Sequence, residues 1–285
     1  HLRRRHGLAR CFVQRIRIMS LIQPLGFMGG GDADALAYIA NLISAGENPT
    51  GAQVAAINDF YASGKSEGWY SDLVRLYLPI WGAASPNSLD LIGGASGTWV
   101  GGVTHSAGYV QGNGTTGYFR TDAKIPAVAS IEDVLVGTLN KTWHQAPNKI
   151  GIGSGATAGT SIRHGSMNSA GVPIAIVLGV NINGAYTGTA GINLSAREGG
   201  TTYLGQKLGA GSYGELSSTA SLTSALDDHF VTVMGTATSD TGAGALSTSQ
   251  IGGAVIATGM DATQRGEFVT AWEALWETTT GLTLP

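Results

Sequence analysis

The sequence is poor in charge, cysteine and proline, and these shortages limit the class of protein. Charged residues are 12% of the 285 residues, about half the usual share. Hydrophobic residues make up 43% and prolines number only 8, which is too apolar a composition for a disordered chain. The single cysteine, Cys11, allows no intrachain disulfide. No apolar run approaches the roughly 18 residues of a membrane-spanning helix.

Charge is divided unevenly along the chain. Six arginines and no acidic residue precede Met19, whereas the remainder carries ten basic and 19 acidic residues, a net charge of −9. We expect residues 1–18 to be a basic leader upstream of the true start at Met19; a basic arm that touches nucleic acid is the alternative. The acidic remainder argues against nucleic-acid binding by the main body.

Residues 19–31 form an apolar segment that ends in three glycines. The glycines indicate a flexible hinge, and the segment before them is too short to bury its own side chains. We therefore predict an extended arm that ties sister subunits together. Its apolar side chains are Leu21, Ile22, Leu25, Phe27 and Met28.

Residues 32–85 have the pattern of a short helical module. Asp32 is placed to cap a first helix, and Thr50 with Gln53 three residues later has the spacing of a capping box that starts a second. Apolar residues at helical spacing predict a third helix near residues 69–80. Three short amphipathic helices can bury one shared apolar stripe, so we expect them to pack together.

After this module the sequence changes to short β-rich runs separated by Gly, Ser, Thr and Asn. Such runs are typical of an antiparallel sandwich or barrel, and they assign most of the 44 glycines to turns. Apolar residues such as Ile192 alternate with polar ones such as Asn193 and Arg197, which predicts a strand with one dry and one wet face. A helix from about Asp261 closes the chain. We predict one mainly β domain over residues 86–285.

The sequence contains no motif that predicts catalysis, a metal site or a cofactor. Glycine-rich runs at residues 29–34 and 151–159 lack the surroundings that phosphate-binding loops need. The histidines lack the short spacings of zinc ligands, and no serine lies in a nucleophile elbow. Glu132 and Asp133 are adjacent on a predicted strand, so they point to opposite faces and cannot form a glycosidase pair with each other.

Three residues are candidates for ligand binding. Trp143 precedes a proline-containing loop and is followed by His144. A rigid aromatic ring beside polar side chains suits stacking against a sugar. Arg197 is the third candidate because it lies on the polar side of its predicted strand. Core packing is the alternative for Trp143, and simple solvation is the alternative for Arg197.

Four stretches of the sequence resemble the structural proteins of tailed bacteriophages. They are DADALAYIANLISAGENPTG from residue 32, GNGTTGYFRTD at residues 112–122, INLSAREGGTTYLGQKLG at residues 192–209 and IGGAVIATGMDATQRGEFVTAWEALWETTTG at residues 251–281. Proteins of this family place a short helical module before a lectin-like jelly roll, which is similar to the concanavalin A-like and laminin-G-like antiparallel β-sandwich. The resemblance covers about residues 32–281.

The resemblance implies a non-enzymatic virion protein. It would be a tail-associated component that docks to other virion proteins and to sister subunits, with its sandwich displayed for adhesion to a host-surface glycan. A capsid or tail scaffold subunit that makes only protein contacts is the first alternative. A polysaccharide-degrading enzyme is the second, but the E-x-D-x-x-E strand of glycosidases on this fold is missing, as is the acid-rich metal loop of legume-type lectins.

Overall fold

The computed structural model describes residues 31–130, 132–142, 150–155, 161–167, 173–177, 180–183, 190–219 and 228–284. The basic leader, the arm up to residue 30 and the ligand candidates Trp143 and His144 lie outside the described residues. What the sequence predicts for them stays a prediction.

The three long helices lie toward the two ends of the described chain, and strands with two four-residue helices fill most of the interval between them. The helices are α1 (Ala33–Ser44), α2 (Gly51–Glu67), α3 (Ala84–Asn87), α4 (Ile125–Val128) and α5 (Ala262–Thr280), and a 3-10 turn covers Trp69–Asp72. The strands are β1 (Leu73–Tyr77), β2 (Thr98–Val100), β3 (Val103–Ser106), β4 (Tyr109–Gly112), β5 (Tyr118–Lys124), β6 (Asp133–Thr142), β7 (Ile152–Ser154), β8 (Ile162–Met167), β9 (Pro173–Val177), β10 (Val180–Asn183), β11 (Gly191–Glu198), β12 (Thr201–Lys207), β13 (Gly214–Thr219), β14 (Phe230–Val233), β15 (Thr236–Ser239), β16 (Gly242–Gly244) and β17 (Gln250–Ala257). None of the described helices has the length and apolar character needed to cross a bilayer.

The described strands form two sheets. The first sheet has the order β13-β12-β11-β6-β17-β4-β3, with β1 also paired to β17. The second has the order β10-β9-β8-β7-β14-β5-β2, with β15 attached to β7 and β16 to β15. Except for one parallel bridge between β15 and β7, every strand pair of the described residues is antiparallel. The predicted mainly β, antiparallel sandwich with an N-terminal helical segment and a C-terminal helix is confirmed.

The side chains of β6 show how the layers are arranged. Leu135 and Leu139 pack into a core with the helices, whereas Val134 and Val136 pack into a second core with residues of the second sheet. The buried apolar side chains of α1, α2 and α5 all belong to the first core. The molecule therefore has three layers: the helices, the first sheet and the second sheet.

The helix starts predicted from capping residues are confirmed. Asp32 Oδ1 accepts hydrogen bonds from the backbone N–H groups of Asp34 and Ala35 at 3.0 and 3.3 Å. Gln53 Oε1 accepts from the Thr50 backbone N–H at 2.8 Å, and Thr50 Oγ1 accepts from the Gln53 backbone N–H at 3.3 Å. These bonds satisfy N–H groups that have no partner within the helix, so the caps fix where α1 and α2 begin.

The third predicted helix, near residues 69–80, is wrong. The segment forms a single 3-10 turn and then β1, which pairs with β17 so that Leu76 lies opposite Val255. The apolar residues of this segment have helical spacing, but Pro79 cannot continue a helix. The edge of β17 instead supplies backbone hydrogen bonds that hold the segment as a strand. The front segment therefore contributes a strand to the first sheet.

The wet face predicted for the strand around Asn193 is also wrong. In β11 every residue from Gly191 to Arg197 is buried. One face packs on the helices through Ile192, Leu194 and Ala196, and the other meets the second sheet, where Ser195 contacts His164 of β8. The alternation of apolar and polar side chains along β11 therefore separates an apolar interface with the helices from a buried polar interface with the second sheet.

Two adjacent glycines of β17 let α5 approach the first sheet closely. A Cβ at Gly253 would collide with the ring of Trp272, and one at Gly252 would collide with the ring of Trp276. Both tryptophans are 0% exposed. Glycine is therefore required at both positions for α5 to pack this closely on the first sheet.

Gly253→Ala should lower the free energy of unfolding by about 1–3 kcal/mol because an added methyl group overpacks this interface. Urea unfolding measures the change. Gly51→Ala is the matched control, because a Cβ there has no atom within 4 Å and alanine favours the helix that Gly51 begins. An equal loss in both variants would contradict close packing at Gly253.

Candidate functional site

A row of polar side chains lies inside the sandwich along β11. Asn193, Ser195 and Arg197 point from β11 toward the second sheet, and their exposed fractions are 4%, 0% and 2%. We call these three residues and their hydrogen-bonding partners the polar seam. Buried polar groups must find partners, so the hydrogen bonds of the seam decide what it can do.

Arg197 lies at one end of the polar seam in an ion pair. Its Nη2 is 3.0 Å from Glu132 Oε2, and its Nη1 donates to Thr202 Oγ1 at 3.1 Å. The side chain of Arg197 is 1% exposed, whereas that of Glu132 is 51% exposed. A ligand at Arg197 would thus have to approach from the Glu132 side. Of the three predicted ligand-binding residues, Arg197 alone is among the described residues, and its role in binding stays a prediction.

Ser195 joins the two sheets at the middle of the polar seam. Its hydroxyl is 2.7 Å from Nδ1 of His164 on β8, and burial lowers the pKa of His164 to about 3. A hydroxyl bonded to an imidazole is the arrangement of a nucleophile and its base. Both side chains are buried between the sheets, at 0% and 3% exposed, so a substrate cannot reach them without separating the layers. In this conformation the pair acts as a polar link between the sheets.

Acidification should destabilise the protein through His164. In the unfolded chain this imidazole titrates near its ordinary pKa of 6.5, whereas in the folded protein burial holds its pKa at about 3. Between these values the unfolded state binds a proton that the folded state does not. Stability that is complete above about pH 6.5 is therefore lost as the pH falls toward 3, by at most about 1.4 kcal/mol per pH unit.

Urea unfolding at a series of pH values, in the wild type and in His164→Leu, measures this contribution. The free energy of unfolding should fall more steeply in the wild type than in the variant between about pH 6.5 and pH 4.5. Burial also lowers the pKa of His105, but that residue is present in both proteins and cancels in the comparison. Equal slopes would show that His164 is not held neutral.

Four polar side chains lie side by side at the other end of the seam, and we call them the polar quartet. They are Thr138 and Asn140 on β6, Asn193 on β11 and Gln206 on β12, and the strand register sets Asn193 opposite both Thr138 and Gln206. Gln206 Nε2 donates to Asn193 Oδ1 at 2.7 Å, and Asn193 Nδ2 donates to the Gly191 carbonyl at 3.2 Å. Asn140 Nδ2 donates to Thr138 Oγ1 at 2.9 Å.

A second candidate group of side chains lies on the outer face of the second sheet. This outer-face cluster consists of Arg120 and Lys124 on β5, Phe230 on β14 and Asp240. The guanidinium of Arg120 and the ammonium of Lys124 lie 5.5 and 5.0 Å from the centre of the Phe230 ring. Lys124 Nζ donates to Asp240 Oδ2 at 2.9 Å, and this hydrogen bond lowers the pKa of Asp240. The ring is half-buried, and both cations lie over it in cation–π contacts.

Neither the polar quartet nor the outer-face cluster was predicted from the sequence. Thr138 and Asn140, two residues apart on β6, were the local sign of the quartet, since their neighbours on β11 and β12 are set by strand register. Phe230 and Lys124 are opposite each other only because β14 pairs with β5. Among the described residues, no group of three or more His, Cys, Asp or Glu side chains could hold a metal ion.

Comparison with known proteins gives only distant structural likeness. No protein-family model and no curated protein sequence matches the chain. Trypanosoma rangeli sialidase is similar with a TM-score of 0.41 and 9% identity, over 78% of this chain and 39% of that one. Its mutant displaying trans-sialidase activity has a TM-score of 0.41 and 11% identity, over the same shares.

The binding domain of botulinum neurotoxin serotype D is also similar, with a TM-score of 0.41 and 10% identity, over 72% of this chain and 52% of that one. The chain thus spans about two fifths to one half of the length of these proteins. Likeness at this level of identity concerns the fold alone.

Proposed function

We propose that this chain is a non-enzymatic structural protein of a tailed bacteriophage virion. In this proposal it is a tail-associated component whose helical side docks it to other virion proteins and to sister subunits. Its second sheet is displayed outward for adhesion to a glycan of the host surface. The sequence resemblance over residues 32–281 is the origin of the proposal.

The asymmetry of the three layers is the observation that supports display of the second sheet. The buried apolar side chains of α1, α2 and α5 pack on the outer face of the first sheet, so that face is covered. The outer face of the second sheet instead carries the half-buried outer-face cluster. A domain that is docked on one side and binds on the other needs this division.

The chemistry of the outer-face cluster suits a polar ligand. Arg120, Lys124 and Asp240 supply hydrogen-bond donors and acceptors to a polar ligand, beside a Phe230 ring over which the two cations lie. Trp143 and His144 remain predicted ligand-binding residues together with Arg197. Adhesion is therefore expected to lose strength in Phe230→Ala or Trp143→Ala particles without loss of particle assembly.

The location and copy number of the chain in purified particles test the proposed function. Antibody labelling of intact particles seen by electron microscopy gives the location, and quantitative mass spectrometry gives the copy number. A few copies at the tail would support adhesion, and a subunit tiled across the shell would support the scaffold alternative. Absence from the particle would overturn the virion role. Turnover of host glycan that disappears in an acidic-residue mutant would overturn the non-enzymatic role.

Deleting residues 20–31 should leave a folded monomer that no longer assembles. The deletion removes the apolar arm but retains Asp32, whose side chain caps α1, so the described fold should keep its stability. Light scattering measures the oligomeric state and circular dichroism the fold. Replacing only the three hinge glycines with serine is the control, because it keeps the apolar side chains. Unchanged assembly of the deleted protein would contradict the predicted role of the arm.

A further inference from the structure

Two side chains of the polar quartet have a hydrogen-bonding atom that nothing in the described chain satisfies. Among the described residues, none donates a hydrogen bond to Asn140 Oδ1 or Gln206 Oε1. The two side chains are 0% and 4% exposed, so bulk water does not reach them. Folded proteins seldom leave buried polar atoms unpaired. Two such atoms in one polar group of neighbouring strands indicate a site for a bound partner.

The hydrogen bonds within the quartet determine what Gln206 presents to such a partner. The Gly191 carbonyl can only accept, so the atom of Asn193 that faces it must be the Nδ2 donor. Asn193 Oδ1 then accepts, and the atom of Gln206 that faces it must be the Nε2 donor. The remaining atom of Gln206 is therefore a carbonyl acceptor, and its partner must donate a hydrogen bond.

The orientation of the Asn140 amide is less constrained than that of Gln206, so its partner must suit either end of the amide. Its neighbour is the Thr138 hydroxyl, which can both donate and accept, so either end of the Asn140 amide can face it. A hydroxyl group fits both orientations because it too donates and accepts. No member of the quartet is charged, so a buried ion would have no counter-charge among these four side chains.

We propose that the polar quartet binds neutral hydroxyl groups inside the sandwich. Thr138 and Gln206 flank Asn193 on opposite sides, two strand spacings or roughly 9–10 Å apart along the sheet. Hydroxyl groups of ordered waters, or of a small uncharged polyol or sugar, can serve both Gln206 Oε1 and the Asn140 amide. The proposal does not rest on a role in the virion.

Oxygen-17 relaxation dispersion of water counts the long-lived internal waters of the full chain in solution. We expect a smaller dispersion amplitude in Asn140→Leu/Gln206→Met than in the wild type, because these substitutions keep the side-chain size and remove the unpaired carbonyls. Asn87→Leu is the control: Asn87 is equally buried, but its Oδ1 accepts from the Trp81 N–H at 2.7 Å and its Nδ2 is 3.1 Å from His105 Nδ1. The control should leave the amplitude unchanged.

Glycerol and glucose, each titrated into the wild type, distinguish the two sources of the hydroxyl group. If either compound displaces the waters, it would lower the amplitude of the oxygen-17 dispersion and shift the side-chain amide signals of Gln206. The double variant should then bind that compound at least about ten-fold more weakly than the wild type. No response to either compound, with the amplitude difference intact, would assign the site to water.

Water-to-amide cross-relaxation in the nitrogen-15-labelled wild type provides a second measurement that needs no variant. It should show long-lived contacts at the side-chain amides of Asn140 and Gln206 and none at Asn87. If neither waters nor added compounds are detected at the quartet, the proposal is overturned.

Discussion

Replacing Arg265 with leucine is expected to lower the free energy of unfolding by about 2–4 kcal/mol, because it removes the donor of several charge-assisted hydrogen bonds and leaves the Glu215 carboxylate and the Met260 carbonyl without it. Arg265 lies on α5 and its side chain is 1% exposed. Its Nε and Nη2 donate to the two carboxylate oxygens of Glu215 on β13 at 2.6 and 3.0 Å. Its Nη1 donates to Glu198 Oε2 at 3.0 Å, and the guanidinium lies 4.4 Å from the ring centre of Tyr203.

This one side chain therefore connects α5 to three successive strands of the first sheet. Glu198 ends β11, Tyr203 lies on β12 and Glu215 on β13. Urea unfolding followed by tryptophan fluorescence measures the loss. Lys65→Met is the control, since Lys65 pairs with Asp32 at 2.7 Å but is 38% exposed. An exposed pair contributes about 0–1 kcal/mol.

A double-mutant cycle separates the ion pair from simple loss of packing. If the guanidinium and the Glu215 carboxylate stabilise each other, Arg265→Leu combined with Glu215→Leu should be less destabilised than the sum of the two single variants. A loss in Arg265→Leu no larger than that in Lys65→Met would contradict the role assigned to Arg265.

Trp276→Ala should have an effect of similar size, about 3–5 kcal/mol, by leaving a cavity between α5 and the first sheet. The side chain is 0% exposed, and its indole packs against Gly252 of β17. Its Nε1 also donates to the Gly108 carbonyl at 3.1 Å. The indole therefore fills space and satisfies a backbone acceptor at once.

Trp276→Phe separates these two contributions. Phenylalanine retains most of the ring but cannot donate, so the expected loss is about 1–3 kcal/mol from the Gly108 carbonyl left unpaired. Thermal and urea unfolding of both variants measure the difference. If Trp276→Ala is no less stable than Trp276→Phe, filling of the interface does not contribute measurably to stability.

Features of the fold that depend on neighbours in the sequence were predicted well. The capping residues Asp32 and Thr50 mark true helix starts, because an N-cap is a contact between residues two or three apart. The helix predicted near residues 69–80 failed because the partner of β1 is β17, far along the chain. Spacing of apolar residues does not reveal an open sheet edge.

The candidate sites depended even more on long-range structure. The alternation at Asn193 and Arg197 was recognised, but it was assigned to water because a sequence does not show that a second sheet covers the polar face. For the same reason Arg197 was not paired with Glu132, which lies before β6 and reaches it through strand register. Polar residues that alternate in a strand between two other strands face a partner layer as readily as solvent.

The pairing of the first segment with the last has a consequence for the order of folding. β1 takes its place beside β17, and Gln53 of α2 donates to the Thr279 carbonyl of α5, 226 residues away in sequence. Contacts of such long range form slowly because a large loop must close first. During synthesis α1 and α2 can form early but must wait for α5 to leave the ribosome before their core is complete. Chaperones that shield apolar helices should therefore bind this chain most strongly before α5 has left the ribosome.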